Sequence, residues 1–84
     1  MISRRLLEEE NRRLRQLQLM VELTLQLISQ TDRLTLTEGL DYIQNARNFA
    51  LALFPNKGET FDLIYKPRFI RVLKERGILK VSQN

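Results

Sequence analysis

Leu17-Gln18-Leu19-Met20-Val21-Glu22-Leu23-Thr24-Leu25-Gln26-Leu27-Ile28 is the stretch whose conformation decides the fold. Leu17, Leu19, Val21, Leu23, Leu25 and Leu27 alternate with other residues, as they would in a half-buried strand. The same residues also make a helix that is apolar nearly all round, with a narrow polar stripe at Gln18, Glu22 and Gln26. Leucine, methionine, glutamine and glutamate are strong helix formers, and the segment upstream is already helical in pattern, so we read it as helix.

Upstream, Ser3 is a candidate N-cap, since its hydroxyl can accept from an orphan backbone N–H. Arg4/Glu8, Arg5/Glu9, Glu8/Arg12 and Glu9/Arg13 stand four apart, the spacing of surface ion pairs on a helix. Leu7, Leu14, Leu17, Val21 and Ile28 form an apolar seam that Glu10 and Thr24 interrupt. One helix over about residues 3–30 accounts for all of this, with residues 1–16 as a charged start that protrudes.

Downstream, Thr35-Leu36-Thr37-Glu38 has the form of a capping box. It predicts a second helix reaching Phe54 and stopped by Pro55, with Leu36, Leu40, Ile43, Ala50 and Phe54 on one face. Phe61, Ile64, Tyr65, Phe69, Val72 and Leu73 keep helical spacing in a third segment. Pro67 lies inside it, which predicts a kink or two short helices, residues 59–65 and 67–76. Gly77 before Ile78 has the form of a C-terminal cap, and residues 81–84 are expected to fray. The fold class is therefore all-α: a small bundle of three helices, or four where Pro67 breaks the third, in one domain over residues 1–84 with a long N-terminal helix.

The chain has 84 residues, no cysteine and no histidine. A domain this short has a thin core and often borrows stability from disulfides, metals or another copy of itself. Without those two residue types the usual zinc and iron–sulfur ligands are missing, as are Ser–His and Cys–His nucleophiles. Glycines 39, 58 and 77 are too scattered to cradle a phosphate. Glu38/Asp41 and Glu59/Asp62 could converge on a divalent cation, but acids in first helical turns more simply complement the helix dipole. The expectation is a protein that is not an enzyme and takes no cofactor or metal. Glu8-Glu9-Glu10 interrupt any signal-peptide core, and no apolar run is long enough to span a membrane, so the expected location is cytoplasmic.

Two candidate surfaces remain. A helix of about 42 Å cannot be covered along its length and circumference by two helices of about 28 Å. Leu14, Leu17, Leu19, Val21, Leu23, Leu25 and Ile28 are therefore the expected interface of a homodimer, which would serve as an interaction or assembly module for another protein. Charge supplies the alternative. Net charge is +4, and the bases Lys66, Arg68, Arg71, Lys74, Arg76 and Lys80 crowd the C-terminal end against the single acid Glu75. Lys66, Arg68, Arg71 and Lys74 could contact nucleic acid or an acidic partner, although the helix offers no Asn, Gln, Ser or Thr to read bases.

Overall fold

The computed structural model describes residues 3–80. Helix α1 runs Arg4–Gln30 and α2 Leu36–Leu53. The third segment is assembled from a single turn α3 (Gly58–Thr60), a π-helical turn (Phe61–Tyr65) and α4 (Lys66–Glu75). No strand occurs among the described residues, and the alternating leucines lie in the middle of α1. The protein is a small all-α bundle. The fraying expected at residues 81–84 lies outside the described residues.

Local chemistry sets the helix ends. The Leu6 amide donates to the Ser3 hydroxyl at 3.1 Å. At α2 both halves of the capping box are made: the Glu38 amide donates to Thr35 Oγ1 and the Thr35 amide to Glu38 Oε1. At the far end Gly77 takes φ 74°, the Gly77 amide reaches the Lys74 carbonyl, and the Ile78 amide reaches the Leu73 carbonyl. That pair of bonds is a Schellman motif, and glycine adopts its left-handed residue without steric cost.

Pro67 does not split the segment into separate helices. The Lys66 amide donates to the Phe61 carbonyl, five residues back, so the ladder widens into a π turn just before the proline. The wide turn also serves packing. Phe61, Tyr65, Phe69 and Leu73 are each four apart, a series that drifts around a 3.6-residue helix. One wide turn takes up the drift, leaving Phe61, Phe69 and Leu73 buried and Tyr65 half-buried. Phe61 stacks on Phe69 with centroids 6.1 Å apart.

The core gathers Leu17, Val21, Ile28, Leu34, Ile43, Ala46, Ala50, Phe61, Phe69 and Leu73. Each large member contributes about 1.5–3 kcal/mol. Thr24 belongs to the same face: it is buried, and its hydroxyl donates to the Met20 sulfur at 3.7 Å. Gly39 lets α2 approach α4 closely, since a Cβ there would stand 2.8 Å from Leu73 Cδ2. The radius of gyration is 15.1 Å, against about 12 Å for a compact chain of this length. The excess comes from α1, whose residues 4–16 are exposed throughout.

Candidate interaction surface

Helix α1 is about 40 Å long and presents the bundle with one strip only, Leu17, Val21, Thr24 and Ile28. Leu25 and Met20 flank that strip and are half-buried. Leu19, Leu23 and Leu27 recur every fourth residue, roughly 130° round the helix from the core strip. Leu19 is 62% and Leu23 51% exposed. Phe49 of α2, also exposed, closes one side of a shallow groove with Leu19, Met20 and Leu23. The groove continues past Leu27 to Gln30 and Thr31.

Of the residues that sequence spacing assigned to an interface, Leu17, Val21 and Ile28 face the protein's own core and Leu25 packs against it. Leu14, Leu19 and Leu23 face outward. Periodicity could not separate these sets, because a helix apolar nearly all round gives almost no phase.

A second apolar region lies where α1 leaves the bundle. Leu6 and Leu7 are 59% and 51% exposed, and Leu14 is exposed too. Beneath the departing helix is a cleft of about 180 Å³ walled by Leu14, Leu17, Ala50, Phe54, Phe61 and Tyr65. Glu10 and Lys57 stand at it with opposite charges. Nothing in the sequence flagged this cleft, because its walls come from three separate segments.

Two of the six bases in the C-terminal segment are engaged within the chain. Arg68 Nη2 lies 3.2 Å from Glu22 Oε1, tying α4 to α1. Arg76 Nη1 donates to the Ile28 and Thr31 carbonyls at 2.7 and 2.8 Å, closing the C-terminal end of α1. Arg47 grips Asp62 through two bonds of 2.8 and 3.2 Å. Those bonds hold the Asp62 carboxyl below its ordinary range, with Arg47 and then Lys66 adding favourable charge. Glu38 is likewise lowered by its bonds to Thr35. Among the described residues no ion pair engages Lys66, Arg71, Lys74 or Lys80, so four of the six C-terminal bases stay unpaired. The two carboxylate pairs stay apart in role, Glu38 in the capping box and Asp62 on Arg47.

Comparison with protein-family models, with curated proteins and with solved structures gives no match.

Proposed function

We propose that the protein is a helical assembly module that associates with itself through α1 and, as that assembly, presents apolar surface to another protein. The observation that carries this reading is the apolar surface that the bundle leaves uncovered on α1: Leu6, Leu7 and Leu14 near its start and Leu19, Leu23 and Leu27 on another face. Exposed apolar patches on a small domain are stabilised by covering them, and a second copy is the partner always present at equal concentration. No catalytic role enters this reading.

The nucleic-acid reading is less well supported. Arg68 and Arg76 bind within the chain, which leaves α4 with Lys66, Arg71 and Lys74 to neutralise phosphates and with no Asn, Gln, Ser or Thr to read bases. Light scattering after size exclusion, at several protein concentrations, tests the proposal. The expected result is a mass of two chains or more that falls on dilution. A mass of one chain at every concentration overturns it.

A further inference from the structure

The exposed start of α1 reads Leu7-Glu8-Glu9-Glu10-Asn11-Arg12-Arg13-Leu14. It is a leucine at each end, an acidic block, then a basic block. Reversed end to end, the acidic block falls where the basic block was and each leucine falls on the other. A two-fold axis between two antiparallel helices makes that exchange. We infer that two copies pair through this segment in antiparallel register, with the axis near Glu10 and Asn11, so that Leu7 of one copy packs beside Leu14 of the other. The inference rests on the self-association proposed above and specifies its seam.

Three features on the chain carry it. The first is charge. Leu7 and Leu14 lie on one face of α1, with Glu8 and Arg15 flanking it on one side and Glu10 and Arg13 on the other. Antiparallel pairing therefore sets Glu8 beside Arg15 and Glu10 beside Arg13 of the second copy, twice over by symmetry, while Glu9 and Arg12 point away. A parallel in-register pair would set acid on acid and base on base, which is destabilising. The charges are free to do this. Within one helix Arg4–Glu8 is 3.6 Å and Arg13–Glu9 3.9 Å, long exposed pairs of small worth.

The second feature is the cleft. Leu14 forms one of its walls, so the second copy's Leu7, arriving beside Leu14, is delivered to the apolar space between Leu14, Phe54 and Tyr65. The space suits one large aliphatic side chain. The third is exposure. Residues 4–16 project from the bundle, so two copies overlap there with their bundles at opposite ends. Leu19 and Leu23 stay outside this seam and available to another protein.

The absence of native cysteine makes the register measurable. Leu7→Cys and Leu14→Cys proteins are oxidised separately and then as an equimolar mixture. Antiparallel register predicts a mixed disulfide in the mixture and little crosslinking of either variant alone. Charge reversal gives an independent reading that leaves the leucines in place. Glu8→Lys/Glu9→Lys/Glu10→Lys and Arg12→Glu/Arg13→Glu/Arg15→Glu proteins should each dimerise at least about tenfold more weakly, and their mixture should regain the wild-type affinity. Far-UV circular dichroism checks that each variant keeps its helix.

A wild-type dimer in which each cysteine variant crosslinks to itself overturns the register and leaves self-association standing. So does a dimer insensitive to both charge reversals but dispersed by Leu19→Glu/Leu23→Glu. A wild-type monomer overturns both this inference and the reading beneath it.

Discussion

Arg76 shows how much one side chain decides here. In the sequence it counts as one more base in a positive segment. In the fold its guanidinium reaches two carbonyls at the end of α1, forty-five and forty-eight residues back. The last carbonyls of a helix have no intrahelical donor, and a cation beside them also meets the negative end of the helix dipole. Arg76→Ala should therefore cost about 1–2 kcal/mol, read as a lower denaturant midpoint with unchanged slope. A change as small as that of an exposed Lys80→Ala control would show that water replaces the guanidinium freely. Arg33 is the other special residue, the one non-glycine residue with positive φ (55°) among those described. It turns the chain between α1 and α2, in a conformation that costs an ordinary L-residue about 1–2 kcal/mol.

At the level of elements, Gly39 tests how tightly α2 and α4 are packed. Alanine has the better helix propensity by about 1 kcal/mol. Its methyl, however, would stand 2.8 Å from a Leu73 side chain that has no exposed surface and little room to move. Overpacking of this kind costs about 1–3 kcal/mol, so Gly39→Ala should be net destabilising in thermal melts. A raised melting temperature would mean that Leu73 changes rotamer without penalty.

The elements also divide what sequence could and could not disclose. Ser3, the Thr35–Glu38 box and the Gly77 turn were legible because each depends on neighbours within a few residues. The π turn was not, because Pro67 signals only that the ladder must yield; how it yields depends on keeping Phe61 and Phe69 together in the core. Nor could spacing divide α1. Val21 and Leu23 are equally apolar in the sequence, and only the position of α2 and α4 puts Val21 inside and Leu23 outside. Arg68 and Arg76 likewise looked available for phosphates until Glu22 and the end of α1 came within reach of them.

The whole molecule is a short bundle with a rod attached, and the two parts should respond differently to concentration. An isolated, solvated helix start opens readily, whereas amides of the core helices exchange only with larger opening. If the rods pair, amides of residues 4–16 should exchange more slowly as protein concentration rises, while those around Ile43 and Leu73 keep their rates. Hydrogen-exchange mass spectrometry at two concentrations reads this directly. Protection that rises equally everywhere would instead point to pairing through the bundle.

The link from α4 back to α1 has a consequence for biosynthesis. Ile28 and Leu73, both without exposed surface, lie 73 − 28 = 45 residues apart. At about 5–20 residues per second, the ribosome has α1 waiting roughly 2–9 s before its last covering residues are even made. Once α1 emerges, the future core strip and the outer leucines are bare together, with only Gln18, Glu22 and Gln26 as a polar stripe between them. A holding chaperone supplied during cell-free synthesis should therefore raise the yield of folded protein more than the same chaperone added after release, and equal yields would show that α1 needs no cover while it waits.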